Sequence, residues 1–167
     1  AQGQIVDVPG RSQQIGLDLT HTFSPLFLNQ LRFSYSRSRS EFDAGGFPAC
    51  TLANIGVCPP QVAILNSDPS QTGVLGIGQL FAFPQCRIIN VYQIQDNASM
   101  VRGKHVMKWG GEYNRQRSPN YGLFETNGLF IYSDFNSYLA NTPLQTQFAY
   151  GQHVLRFKEN DVALYFQ

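Results

Sequence analysis

The residues equipped for catalysis or metal binding are few and scattered. His21, His105 and His153 stand far apart, and none belongs to an HExxH spacing or another pattern that sets two ligands on one face of a helix. Cys50, Cys58 and Cys86 contain no CxxC pair, and no nearby histidines complete a zinc tetrahedron. Serines are plentiful, yet there is no GxSxG elbow to expose one as a nucleophile. The glycines of VLGIGQL and WGGEY form neither GxGxxG nor GxxxxGK, the spacings that let backbone amides cradle a phosphate. The expectation is a chain that is not an enzyme and takes no metal and no cofactor. What the thiols offer instead is a bridge. Cys50 and Cys58 bracket CTLANIGVC, a segment able to close a small loop in an oxidising compartment, with Cys86 as a rival partner for either.

A chain of 167 residues supports one domain with a sizeable core. Charged residues make up 14% and the net charge is +1, so no basic surface points to nucleic acid as a partner. No apolar run approaches the ~18 residues of a membrane-spanning helix. A charged start followed by an apolar core and a cleavage site is absent, so any export signal is expected to have been removed or to lie outside these residues.

The dominant pattern is alternation. In LRFSYSRSRSEF (31–42) the residues Arg32, Ser34, Ser36, Ser38 and Ser40 are polar, while Leu31, Phe33 and Tyr35 share the other parity. At 180° per residue that is a two-faced strand, whereas at 100° the apolar positions would scatter around a helix. Residues 13–23 alternate in the same way, and the Pro-containing Ser24–Leu28 turns one strand into the next, giving a hairpin over 13–40. A second hairpin is expected over 91–116, turning at RGKH (102–105), with Asp96 interrupting its apolar face. Between them, residues 41–90 read as a long loop rich in Gly, Pro, Asn and Ser, including DAGGFP, CPP and SDPSQTG. Residues 115–125 read as another polar loop. Beyond it come a strand at 127–132, a short helix near 133–140 with Ser or Asp at its N-cap, and strands at 146–151 and 161–167.

A soluble sandwich and an outer-membrane barrel both alternate, because each buries one face of every strand. Three details favour the barrel: short turns alternate with long loops, the polar face carries Gln, Ser and Asn in place of Lys and Glu, and aromatics lie near the ends of the apolar stripes. Phe23, Tyr35, Tyr92, Trp109 and Tyr113 are candidates for interfacial girdles. Arg37 and Arg39 continue the apolar parity past Tyr35, either to reach anionic lipid phosphates or as solvated charges. The expected fold is all-β: an antiparallel meander of barrel-type strands with long external loops and one short helix, in a transmembrane β-barrel.

The runs SPLFLNQLRFSYSRSRSEF, VYQIQDNASMVRGKHVMKWGGEYNRQRSPN, GLFIYSDFNSYLANTP and ENDVALYFQ together resemble the barrel of TonB-dependent outer-membrane receptors of the Oar-like group. The most specific piece is DNASMVRGKHVMKWGGEYNR, a strand, a Gly-Lys-His turn and a strand ending Gly-Gly-Glu-Tyr. The resemblance implies a bacterial outer-membrane location with extracellular loops, a ~22-stranded parent barrel with an internal plug, and uptake of a large or scarce substrate. The six or seven strands read here cannot close such a barrel and also supply its plug, so the resemblance implies an internal fragment, an incomplete transmembrane β-barrel, with TonB contacted through parts outside this segment. On parity and resemblance, Arg32, Gln93, Gln95, Asn97, Lys108 and Glu112 face the lumen. The competing expectation is structural: a strand-rich fragment whose open edges self-associate into a fibre or surface layer. A small closed eight-stranded porin would need an even strand count that the pattern does not supply.

Overall fold

The computed structural model describes residues 5–66, 73–122 and 125–167. Its strands are β1 (Val6–Asp7), β2 (Gly10–Ser24), β3 (Phe27–Ala44), β4 (Gln61–Leu65), β5 (Val74–Ile77), β6 (Gln85–Arg102), β7 (His105–Tyr121), β8 (Leu129–Tyr132), β9 (Gln145–Gln147) and β10 (Val154–Phe166), with one helix, α1 (Phe135–Leu139). They form two sheets. The larger has the order β1-β3-β6-β7-β10, with β2 also on β3, and the smaller runs β5-β4-β8-β9. Because β2 and β10 are not neighbours, the larger sheet is open and the fold is an incomplete barrel. Residues cluster into two compact units: a loop unit of Ala1–Gly10, Ser40–Arg87 and Asn120–Leu155, and a sheet unit of Arg11–Arg39, Ile88–Pro119 and Arg156–Gln167.

In the sheet unit the two connections are short. The chain reverses at Pro25 and Leu26, where Leu26 donates its N–H to Ser24 Oγ, and again at Gly103 and Lys104. Gly103 takes a positive φ of 62°, which the tight second turn requires and a side chain would resist. The amide of Val101 donates to the Leu26 carbonyl, and Lys108 and Gln167 exchange backbone hydrogen bonds, so both turns and the end of β10 belong to one end of this sheet.

Packing inside the sheet is tightest at Gly110. A Cβ there would meet the Asp96 carbonyl, the Tyr165 ring and Asn97 Oδ1 at 2.5–2.7 Å. Glycine leaves room for Tyr165 to lie across the neighbouring strand and donate its hydroxyl to Asn97 Oδ1 at 2.8 Å. An aromatic ring laid over a strand glycine covers backbone that would otherwise be bare.

The loop unit has a water-soluble type of core. Ile64, Gln79 and Cys86 are its most enclosed side chains, with Tyr132, Leu129 and Ala82 also buried. Strands β4 and β8 pair in parallel, Gln61 with Leu129 through Ile64 with Tyr132, and β5 and β9 flank them antiparallel. A disulfide joins Cys50 to Cys58 across 4.7 Å between Cα atoms and packs with Ala44 and Phe47; Cys86 is buried outside it. Asp134 caps α1, its carboxylate accepting from the Ser137 amide at 2.7 Å while Ser137 Oγ accepts from the Asp134 amide. That amide holds the Asp134 carboxyl below its ordinary value, reinforced by the Ser133 and Ser137 hydroxyls.

Several boundaries differ from the sequence expectation. Residues 41–90, expected as a loop, contain the end of β3, a 3-10 turn at Ile55–Val57, β4, β5 and the start of β6; the SDPSQT turn signal (67–72) lies outside the described residues. Their Gly and Pro punctuation marks joints between short strands rather than one structureless run. Residues 115–121, also expected as loop, extend β7, because a strand with Arg and Gln on both parities lacks the hydrophobic alternation that reveals strands.

Three outcomes are expected. Replacing both Cys50 and Cys58 with Ser should weaken the loop unit by about 2–3 kcal/mol for a ring this small, read as faster proteolysis within 40–87. The Asp134 cap contributes stability fully above the ordinary carboxylate value of 3.8, and loses it as pH falls from there through the lowered value. Protection of the α1 amides, corrected for intrinsic exchange, should drop over that acid range in the native chain and show no such step in Asp134→Asn. Gly110→Val should cost about 1–3 kcal/mol through overpacking, visible as a lower denaturant midpoint.

Candidate functional site

The surface with the most consistent chemistry is the pair of faces of the sheet unit. Alternation along β2 and β3 puts Asp18 and Arg32 on one face, where Arg32 Nε donates to Asp18 Oδ2 at 2.8 Å and Gln30 Nε2 donates to both carboxylate oxygens. Both members of the ion pair are about half exposed, so it orients side chains more than it stabilises the sheet. On the same face Ser34 Oγ donates to Gln93 Oε1 at 3.0 Å. Gln14, Asp18, Arg32, Ser34, Gln93 and Gln95 line an open hollow of about 340 Å³.

The residues expected to face a lumen therefore divide. Arg32, Gln93 and Gln95 come together in this hollow. Asn97 lies apart, accepting from Tyr165. Glu112 accepts from the Asn114 side-chain amide, and Lys108 is placed by its backbone bonds to Gln167. The face as a whole is polar, with Asp18, Arg32, Lys108, Glu112, Glu159 and Asp161 among its Gln, Ser and Asn side chains, and suits contact with water.

The opposite face is apolar and bare. Leu17 is 67% exposed, Leu19 65%, Val162 70% and Leu164 82%. Side chains of this size in a contiguous stripe require a non-aqueous neighbour. Two aromatic clusters bound the stripe. At the turn end Phe23 stacks on Phe27 (5.1 Å), Phe27 on Trp109 (6.1 Å), and His21 meets Phe23 edge-on at 4.4 Å. Farther along, Tyr35 and Tyr92 lie 4.9 Å apart. From Phe27 to Tyr35 is eight residues of β3, or about 26 Å along the strand, about 20 Å along the normal at ~40° tilt and close to the about 25 Å apolar band of outer-membrane barrels.

Of the five aromatics singled out in the sequence, Phe23 and Trp109 join the first cluster and Tyr35 and Tyr92 make the second. Tyr113 belongs to neither; its hydroxyl donates to Asn160 Oδ1 at 2.9 Å. Phe27, which links Phe23 to Trp109, was missed because it sat inside a segment read as turn. Asp96 does interrupt the apolar parity, and the structure supplies its partner: Asn29 Nδ2 donates to Asp96 Oδ1 at 2.7 Å. An amide on the facing strand at the same parity was the available signal.

Among the described residues no three His, Cys, Asp or Glu side chains cluster to hold a metal. His105 opens β7, His153 enters the loop unit through its carbonyl, which accepts from Gly122, and His21 lies edge-on to Phe23. The arrangement sorts environments, hydrocarbon on one side and polar solution on the other.

Comparison with known proteins agrees with that division. The family described as outer membrane beta barrel domain matches residues 3–167. No curated protein and no solved structure matches the chain. A two-faced open sheet with aromatic borders, matched over nearly its full length, places this chain in the outer membrane beta barrel domain family, a component of the bacterial outer membrane in contact with its bilayer.

Proposed function

We propose that this chain is part of a TonB-dependent receptor of the Oar-like kind, taking up a large or scarce substrate across the outer membrane. The observation that carries the reading is the asymmetry of the connections. Two tight reversals, at Pro25–Leu26 and Gly103–Lys104, join the paired strands, while the excursions between β3 and β6 and between β7 and β10 fold into a disulfide-linked unit with its own sheet. Barrels with short periplasmic turns and elaborate external loops distribute chain in that way. A folded external loop supplies a fixed recognition surface, for which a simple pore has no need. On this reading the loop unit is extracellular, Arg32, Gln93 and Gln95 line the substrate path, and TonB acts on parts of the polypeptide outside this chain. The protein performs no covalent chemistry.

A second reading has its own observation. Strands β2 and β10 leave long edges unpaired by the described sheet, and open edges recruit other strands. Here the chain would assemble edge to edge into a fibre or surface layer.

One preparation separates the two. The native polypeptide is extracted from outer membranes in detergent, its denatured mass is measured, and it is passed over immobilised periplasmic domain of TonB. The transport reading expects a mass several-fold above the 18.7 kDa of this chain and retention by TonB. A large polypeptide that TonB does not retain overturns TonB-driven uptake. A species of 18.7 kDa running as long polymers overturns it in favour of assembly.

A further inference from the structure

The apolar stripe does not end at the Tyr35–Tyr92 pair in neutral residues. Immediately beyond it, on the sheet unit, an open hollow of about 300 Å³ is lined by Arg37, Arg117, Arg156 and Lys158, together with Tyr35 and Asn90. Alternation explains why they gather. Arg37 follows Tyr35 by two residues on β3, so the two share a face. Counting back along β7 and β10 from the mutual Lys108–Gln167 hydrogen bonds sets Arg117 opposite Lys158. Four cations from three strands thus meet on the face that also carries Phe33, Ile94 and Leu164.

Asn90 fixes the geometry. Its Oδ1 accepts from the Tyr35 hydroxyl at 3.0 Å and from Arg37 Nη1 at 3.4 Å, while its Nδ2 donates to the Arg117 carbonyl at 3.4 Å. One side chain on β6 therefore ties the strands that carry two of the arginines. No carboxylate among the described residues forms an ion pair with Arg37, Arg117, Arg156 or Lys158. Glu159 and Asp161 fall on the other parity of β10, facing away. Four like charges in one hollow repel one another, and a polyvalent anion relieves that repulsion. Guanidinium groups are planar forks that match phosphate oxygens in pairs.

We propose that this hollow binds the phosphate of an anionic membrane lipid headgroup. The proposal rests on the membrane-spanning reading of the sheet and not on transport. Continuity with the stripe decides for a lipid over a free phosphate. Below the cations the same face continues through Tyr92, Ile94 and Phe33, all substantially exposed, giving acyl chains an apolar track directly under the headgroup. The tyrosine pair at the boundary lies where amphipathic rings settle between hydrocarbon and headgroups. A soluble anion would use the cations and leave the track idle.

The test uses the native protein purified from outer membranes and reconstituted into phosphatidylcholine nanodiscs with or without phosphatidic acid, with the retained lipids counted by native mass spectrometry. Phosphatidic acid is expected to be enriched about tenfold over phosphatidylcholine, and Arg117→Gln with Lys158→Gln should abolish the enrichment. Lys158→Gln alone, on an exposed edge residue, should reduce it and serves where the double variant does not fold. Arg32→Gln, which removes a cation from the other face, should leave it unchanged. Equal retention of both lipids, enrichment untouched by the Lys158 or Arg117 changes, or displacement of the lipid by millimolar inorganic phosphate overturns the proposal. Failure of TonB retention leaves these outcomes unaffected, so the two readings stand or fall separately.

Discussion

Everything in the sheet unit depends on the requirement that a backbone crossing hydrocarbon must satisfy its own hydrogen bonds. Long strands meet it by pairing with neighbours, and β3, β6 and β7, each 17 or 18 residues long, lie side by side in the sheet. The requirement also fixes where side chains go. Once pairing direction and pleat are set, every second residue must suit lipid and the rest must suit water. By the same logic the outer edges of β2 and β10 are the positions where the described sheet leaves backbone groups without a neighbouring strand.

Polar residues on the apolar face are the sharpest check on that logic, since each would be costly in hydrocarbon without a partner. They are partnered. Asp96 accepts from Asn29, Tyr113 donates to Asn160, and Asn90 accepts from both Tyr35 and Arg37. Each pair joins neighbouring strands at matching parity, so the interruptions in the apolar pattern also act as cross-strand register marks. The basic hollow differs because its charges gather beyond the tyrosines, at the level where an anionic headgroup rather than another side chain supplies the partner.

Periodicity made the paired strands legible, because a two-residue repeat over ten or more residues fits little else. The helix cap was legible too: Ser133 and Asp134 preceding Phe135 and Tyr138 is local chemistry, and the observed N-cap is Asp134. The loop unit was not. Its strands are three to five residues long, and its central contact, the parallel pairing of Gln61–Ile64 with Leu129–Tyr132, joins segments more than sixty residues apart. No local pattern announces such a pairing. The cation hollow was half visible: Arg37 stood out beside Tyr35, whereas Arg117 lay in a segment read as loop, and Arg156 and Lys158 preceded the stretch read as strand.

The two units solve opposite solvent problems with one chain. The sheet unit exposes its large apolar side chains, with Leu164 and Phe166 more than 70% accessible, and owes its stability to backbone pairing and the bilayer. The loop unit instead encloses Ile64 completely, sets Tyr132 edge-on to Tyr138 at 5.3 Å, and adds a covalent link between Cys50 and Cys58. That link supplements a core too small to be held by apolar burial alone. It also ties the loop unit to an oxidising compartment, which the sheet unit, containing no cysteine, does not need. Loss of the bridge therefore acts on the loop unit while leaving the hydrogen-bonded ladder of the membrane strands chemically unchanged.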